Sequence, residues 1–410
     1  MADFGLDPTF PYLHAIDAPR PGDPAATFSV PLRGWVLVPS AARVRLEVVH
    51  GADSTPLVVR ERPDVVAHLG GGPVVAFDQL VPVPETVGHD GGAWHLLLGV
   101  DDVEHRLPLP VDVVPGAVAT MRRAQAAKLR LIEPVLRCPA RSVTGRGDAC
   151  LGVLSRDGSH LACTRCGAAY VATDAGVDFL ATDAPERDVD VRSEDVSALT
   201  ASTYDRIAEP LITRHQDGLI LDCGAGLKHV YRENIVYFDI ADYPTTDVRG
   251  VGESLPFADD TFDLVLSLAV LEHVRDPFRC AREIVRVLKP GGQVYAAVPF
   301  LQPYHGYPNH YYNMTLSGLE NLFAECRIEE SGTPEYGLPI WTLCWFLDRY
   351  LAGLPPDVAE RFGDLRVRDL VAQGPLPLGR DYIAGLDPAT RTELASVNFL
   401  IATKAPPDEG

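Results

Sequence analysis

The chain has 410 residues, and its 36 Lys and Arg against 56 Asp and Glu leave a formal net charge of −20; with 46% hydrophobic and 22% charged residues, the composition excludes a disordered chain and suits two to three folded domains. The acidic total argues against a chain-wide nucleic-acid surface, because phosphate binding needs cations that displace counterions, though it leaves room for one local basic face. The amino-terminal MADFGLDPTF has no basic stretch before an apolar run, and no segment approaches ~18 uninterrupted apolar residues, so the expectation is a cytoplasmic protein with no membrane span.

Residues 1–115 carry short runs rich in Val and Leu, among them TFSVPLRGWVLV, ARVRLEVVHG and AWHLLLGV, separated by Pro and Gly. Alternation with turn punctuation predicts antiparallel strands, here an all-β sandwich of immunoglobulin-like size. No paired carboxylates or Gly-rich loop suggest chemistry there, so a partner-binding, sugar-binding, spacer or oligomerisation role stays open. Residues 116–136, rich in Ala, Arg and Leu, predict a connecting helix interrupted near Pro134.

Residues 137–182 hold Cys138, Cys150, Cys163 and Cys166, while Cys223, Cys280, Cys326 and Cys344 stand apart. In a reducing compartment such a cluster points to metal before disulfides. Cys163-Thr-Arg-Cys166-Gly167 can aim two thiolates at one ion, and four thiolates close a tetrahedron with no open position, the signature of a structural Zn2+. Four reduced thiols without metal is the alternative. The run CTRCGAAYVATDAGVDFL resembles the small zinc ribbon found beside many methyltransferases; Cys150 comes nine residues later than in that pattern, which an inserted loop accounts for.

After an acidic linker, LILDCGAG places an apolar strand before Asp222-Cys223-Gly224-Ala225-Gly226, and IVYFDIAD ends a second strand in Asp239. Glycines at the carboxyl end of a first strand let backbone approach a ligand, and an acid at the end of the second can hold a ribose diol. ESLPF, FDLV, EHV and RVLKPGG follow in that order. From about Leu219 to Phe300 the sequence resembles the class I S-adenosylmethionine-dependent methyltransferases. The resemblance implies an α/β Rossmann-like fold with a seven-stranded sheet over residues 195–410, the cofactor S-adenosyl-L-methionine, and a set of contacts to it. Asp222, Gly224 and Gly226 would lie under the methionine part, their amides satisfying its carboxylate or leaving room for it. Asp239 would take the ribose and Ile240 would pack on the adenine. Glu253, Ser254 and Leu255 would flank the adenine edge, Ser267 to Ala269 would close the pocket, and Tyr204 would reach the cofactor carboxylate.

Ligands collect at the carboxyl ends of strands in open α/β sheets, which directs attention to Glu272-His273 and to PFLQPYHGYPNHYYNMT. The second run puts Tyr304, His305, Tyr307, His310, Tyr311 and Tyr312 within nine residues. It resembles a subgroup, often encoded among glycan or natural-product genes, with PF, His, Pro and Tyr at this spacing; the Asp near His310 and the Arg near Asn313 common in that subgroup are absent. A histidine base suits methyl transfer to a hydroxyl or amine. His305 is the first candidate and His273 the second; a His that merely pins its loop is the competing reading. RIEESG and SVNFLIATKA are the sixth and seventh strand candidates, and the residues between them, 333–395, form a helical insertion whose aromatic helix, with Trp341, Trp345 and Phe346, suits a lid, a homodimer contact or plain core.

The function expected is methyl transfer to an O or N of a small-molecule, natural-product or glycan acceptor. Two alternatives compete: an RNA methyltransferase using Arg137, Arg141, Arg146, Arg156 and Arg165 of the ribbon, and a non-catalytic cofactor-binding scaffold. The net charge and the presence of only four lysines weigh against RNA. The acceptor, and whether the sulfonium serves another reaction, stay open.

Overall fold

Apolar residues two apart on β1 (His14–Ala18), β2 (Ser29–Leu37) and β5 (Val74–Pro82) give one three-stranded antiparallel sheet in the order β1-β2-β5. A second sheet, β4-β3-β6-β7, joins β3 (Val44–His50), β4 (Asp53–Pro56), β6 (Trp94–Val100) and β7 (Val103–Leu109). Val30, Leu32, Phe77 and Val81 of the first meet Leu46, Val48, Leu96, Leu98 and Leu107 of the second in one buried cluster, as two sheets sharing a core require. These elements come from a computed structural model that describes residues 12, 14–21, 25–38, 43–57, 59, 74–84, 93–101, 103–140, 149–180, 203–305, 309–372 and 380–394. Arg141 and Arg146 of the inserted loop, Tyr307, and the expected seventh strand from Ser396 lie outside them.

Helix α1 (Ala117–Ile132) does more than connect. Val118 and Met121 join the two-sheet core, while Gln125 Nε2 donates to Thr246 O at 3.0 Å and Lys128 Nζ to Asp247 Oδ2 at 2.8 Å. Both members of this ion pair are buried, with side chains 1% and 0% exposed. Tyr231 Oη and Tyr237 N also donate to Asp247, and the Tyr231 ring lies 3.8 Å from Nζ. Burial pulls the Lys128 ammonium below its usual range against the pull of Asp247.

The remaining strands form one nine-stranded mixed sheet. Its cysteine-bearing part is β8 (Leu154–Asp157), β9 (His160–Cys163), β10 (Ala169–Thr173) and β11 (Gly176–Asp178). The rest is β12 (Ile220–Cys223), β13 (Ile235–Asp239), β14 (Val248–Arg249), β15 (Phe262–Leu268) and β16 (Leu288–Ala297). β12 to β16 are parallel in the order β16-β15-β12-β13-β14, and β12 and β13 are buried along their whole length, as a parallel sheet covered on both faces demands. The strand order reverses at β12, which makes the β12/β15 boundary a switch point where ligands bind. β11 pairs with β14, Val177 opposite Val248, so the segment expected as a separate ribbon over 137–182 is a continuation of this sheet. A seven-stranded sheet was expected; five parallel strands, β12 to β16, are present among the described residues. Arg327–Gly332 forms no strand, since its one aliphatic residue, Ile328, is 46% exposed and gives a strand no face to bury. Around the sheet stand α2 (Ala208–Arg214) and α3 (Pro277–Val287), the latter capped by Asp276 accepting from Arg279 N.

The chain divides into two units, Met1–Val270 with Asp276–Ala297, and Leu271–Arg275 with Val298–Gly410. Residues of the expected domain 195–410 fall in both units, and the helices expected at 333–395 lie in the second. The second unit holds α4 (Leu316–Leu322), α5 (Pro339–Ala352), α6 (Pro356–Gly363), α7 (Val367–Ala372), α8 (Asp381–Ala384) and α9 (Pro388–Glu393). Its own core is Leu354, Val358, Phe362, Tyr382 and Leu386, on which Leu347, Tyr350 and Leu351 of α5 pack. The first turns of α5 leave Ile340 and Trp341 54% and 61% exposed, so plain core packing does not explain Trp341. Among the described residues no helix is long and apolar enough to cross a membrane.

Candidate functional site

The Gly-rich loop leaves β12 at the switch point. Gly224 and Gly226 both adopt positive φ, 81° and 62°, and a Cβ on Gly224 would stand 2.3 Å from Val270 Cγ2. Three successive amides of the loop turn to the neighbouring strand: Gly224 N and Ala225 N donate to Phe238 O at 2.8 and 3.0 Å, and Gly226 N donates to Asp239 Oδ2 at 2.7 Å. Of the two roles expected for this loop, binding a ligand carboxylate through its amides or leaving room for it, the hydrogen bonds are consistent with the second.

Residues 224–234 contain no helix, so the positive helix N-terminus that usually follows such a loop is missing. Lys228 occupies this segment instead. Its Nζ, on a side chain 5% exposed, lies 3.3 Å from Asp222 Oδ2 and 4.6 Å from the Tyr204 ring centroid, and Tyr204 Oη donates to the same Asp222 oxygen at 2.6 Å. The structure thus brings Tyr204 to Asp222 at the start of the loop. Lys228 was not foreseen; its signal was a lysine two residues past Gly226 in a chain with four.

Asp239 is 8% exposed. Burial raises its carboxyl above the usual range despite the amides of Ala241 and Gly226 that bond it; Ala241 N reaches Oδ1 at 2.8 Å. Each oxygen keeps acceptor capacity beyond these bonds, which fits a ribose diol. Ile240 follows, half-buried, with its carbonyl accepting from Arg249 Nε at 2.9 Å. Two of the atoms expected at the adenine edge are committed elsewhere: Ser254 Oγ donates to Pro139 O at 2.9 Å, beside Cys138, and Leu255 N donates to Glu283 Oε2 at 2.9 Å. The Ser254 hydroxyl and the Leu255 amide are therefore engaged within the fold. Ser267 Oγ is buried at the end of β15 with no hydrogen-bond partner among the described residues, and Ala269 takes φ 56° just beyond it. A buried hydroxyl without a partner and a left-handed alanine thus stand two residues apart at the end of this strand.

The second unit gathers the histidines. Glu272 O accepts from Tyr311 N and Tyr312 N at 2.7 and 3.2 Å, tying residues 271–275 to the loop beyond. His273 Nδ1 donates to Asn309 O at 2.7 Å and His305 Nδ1 to Pro303 O at 2.9 Å, so each ring in its neutral form carries its lone pair on Nε2. His310 Nδ1 accepts from His305 N at 3.1 Å, and its Nε2 donates to Asn313 Oδ1 at 2.9 Å. The His273 and His305 rings are 5.3 Å apart, and Trp345 lies 5.4 Å from His305. Burial lifts the Glu272 carboxyl to about 8. Burial likewise lowers His273 to about 4, helped by the neighbouring His305 and His310 and opposed by the bond to Asn309. His273 is thereby a weaker base than an unperturbed imidazole.

Cys138, Cys150, Cys163 and Cys166 converge with all four sulfurs within 4.8 Å of one another. Cys138 Sγ and Cys166 Sγ are 3.5 Å apart, Cys150 Sγ and Cys163 Sγ 3.8 Å, against roughly 3.8 Å for the edge of a tetrahedron with zinc–sulfur bonds of about 2.3 Å. Burial opposes ionisation of Cys163, but the amides of Cys166 and Arg165 donating to its sulfur help bring it down to about 7. Of the arginines offered as an RNA face, Arg156 pairs with Glu133, Arg165 donates to Cys150 O at 3.0 Å, and Arg137 to Pro134 O at 2.9 Å.

The profile of the family described as methyltransferase domain matches residues 223–296, so the chain carries a methyltransferase domain across β13 to β16. An uncharacterized methyltransferase of Mycobacterium sp. strain JLS is 49% identical over 91 residues, 22% of this chain and 33% of that protein. Another, of Mycobacteroides abscessus, is 35% identical over 101 residues, 24% of this chain and 36% of that protein. The matched stretches span about a third of the length of these curated relatives. Among solved structures the (4+2)-cyclase SpnF is 20% identical with a TM-score of 0.23, covering 30% of this chain and 59% of that one.

Proposed function

We propose that the chain is an S-adenosyl-L-methionine-dependent methyltransferase acting on an O or N of a small-molecule, natural-product or glycan acceptor. The observation that carries this reading is the Gly224–Gly226 loop at the switch point, stitched to β13 with Asp239 at its end, inside the segment that matches the methyltransferase domain. When bound, the cofactor supplies an electrophilic methyl on a sulfonium. Lys228, with Tyr204, would face the cofactor carboxylate in place of a helix N-terminus; Asp239 would hold the ribose, Ile240 would cover the adenine, and Glu253 and Ser267 would offer it polar groups. The protein's work in such a transfer is alignment and proton removal. His305 Nε2, with its lone pair exposed by the Nδ1 bond, is assigned as the acceptor-side base and His273 as its neighbour.

The four thiols are assigned to a structural Zn2+, and the two amino-terminal sheets to a β-sandwich that serves a partner or spaces the enzyme. A small acceptor is favoured over RNA by the net charge and by the internal bonds of Arg137, Arg156 and Arg165. A homodimer and a cytoplasmic location complete the reading. The test is calorimetry with S-adenosylhomocysteine followed by turnover with a panel of hydroxyl and amine acceptors. His305→Ala should keep product affinity and lower turnover ~10²-fold. Cofactor binding with no turnover on any acceptor, or strong salt-sensitive RNA binding alone, would overturn it.

A further inference from the structure

We infer that Glu272, His273 and His305 form a binding site for a first-row divalent transition-metal ion, distinct from the four-cysteine cluster. Glu272 carries the argument. Its side chain is 0% exposed, and neither carboxylate oxygen has a hydrogen-bond partner among the described residues. A buried carboxyl group with both oxygens unpaired is costly even when neutral, and a buried carboxylate is met where it is paired or coordinates a metal. Its Oε1 lies 3.8 Å from His273 Nε2, and the ligand atoms of all three residues fall within 4.8 Å of one another.

The histidines are prepared as ligands. A metal-binding His characteristically gives its other ring N–H to a carbonyl or carboxylate, which fixes the tautomer and aims the lone pair; His273 and His305 both do so through Nδ1, to Asn309 O and Pro303 O. His310, only 4.3 Å from His305 by ring centroids, has both nitrogens bonded and so stands outside the set. Two neutral imidazoles and one carboxylate suit borderline ions such as Zn2+, Fe2+, Co2+ or Mn2+. With bonds of about 2.1 Å the ligand atoms would stand roughly 3.4 Å apart, so the three side chains need to close by about an ångström. Three protein ligands leave at least one coordination position open, where an acceptor oxygen could bind and be polarised. A ligated Nε2 has no lone pair left for a proton, so with the ion bound this polarisation would stand in place of His305 as base; that last role rests on the reading of His305 and His273 as acceptor-side residues, and the metal site itself does not.

The experiment counts ions. Full-length protein, stripped with chelator and dialysed against low-micromolar free Zn2+, is assayed by inductively coupled plasma mass spectrometry alongside Glu272→Gln and His305→Ala. Glu272→Gln keeps the side-chain shape while replacing one ligand oxygen by an amide NH2, and circular dichroism with S-adenosylhomocysteine affinity checks that each variant is folded. The expected result is one zinc fewer per chain in each variant than in wild type, with the cysteine-bound ion retained. Equal counts in wild type and both variants overturn the site. Equal counts together with a turnover loss in His305→Ala leave the proton-acceptor reading standing alone, whereas a lost ion with turnover unchanged leaves the metal site and removes the acceptor-side role.

Discussion

Substituting Gly224 by Ala perturbs the loop through two separable terms. The residue sits at φ 81°, a conformation that costs an L-residue roughly 1–2 kcal/mol, and the new Cβ would stand 2.3 Å from Val270 Cγ2, an overpacking worth roughly 1–3 kcal/mol. Together they predict a loss of about 2–5 kcal/mol, a large fraction of the ~5–15 kcal/mol that holds a domain. Val270→Ala removes both γ-methyls and should relieve the second term but not the first. The double variant should then be less destabilised than the sum of the singles by about 1–3 kcal/mol, a coupling that a double-mutant cycle in urea measures directly. Because Gly224 N and Ala225 N anchor the loop on Phe238 O, the clash should also displace the loop, and calorimetry should show S-adenosylhomocysteine affinity falling at least ~10-fold, about 1.4 kcal/mol. Strict additivity of the two substitutions, or a Gly224→Ala protein with wild-type midpoint and affinity, would refute this account of the loop.

Lys128→Met should cost about 3–5 kcal/mol, because it leaves Asp247 charged and buried without its cation; denaturation midpoints check it, and adding Asp247→Asn should recover part of the loss. Lys228→Met should weaken S-adenosylhomocysteine binding at least ~10-fold in calorimetry while S-adenosyl compounds lacking the carboxylate bind both proteins alike. Cys166→Ser should lower the zinc content by one per chain and lower the melting temperature, read by metal analysis and calorimetric scanning. Trp341→Ala, at a ring 61% exposed, should shift stability by less than ~0.5 kcal/mol; a larger loss in thermal unfolding would show that the ring packs.

The cysteine quartet and the strand-loop-strand around Asp239 were legible because their chemistry depends on local spacing. What escaped the sequence depended on partners far along the chain. Ser254 and Leu255 carry the right motif, yet Ser254 Oγ answers to Pro139 and Leu255 N to Glu283, contacts that periodicity does not encode. Lys128 looked like one more cation on an Ala-rich helix, and its ion pair with Asp247 spans 119 positions. Lys228 gains meaning only because residues 224–234 make no helix, a local failure of the usual strand-to-helix crossover. Glu272 read as half of a common Glu-His pair; that its oxygens lack partners is a property of packing alone.

A module that can be moved between proteins ends where its hydrogen bonds end, and between β11 and β14 there is no such end. Val177 and Asp178 face Val248 and Arg249 across a parallel ladder, and Arg249 Nη1 meets Asp178 Oδ2 at 3.1 Å. Excising the cysteine-bearing strands would leave the two-residue β14 as a raw edge, open to pairing with another chain. Amides of β10, β11 and β13 should consequently exchange with deuterium in a common opening event, and grafting this cysteine segment onto another protein would require carrying a sheet with it.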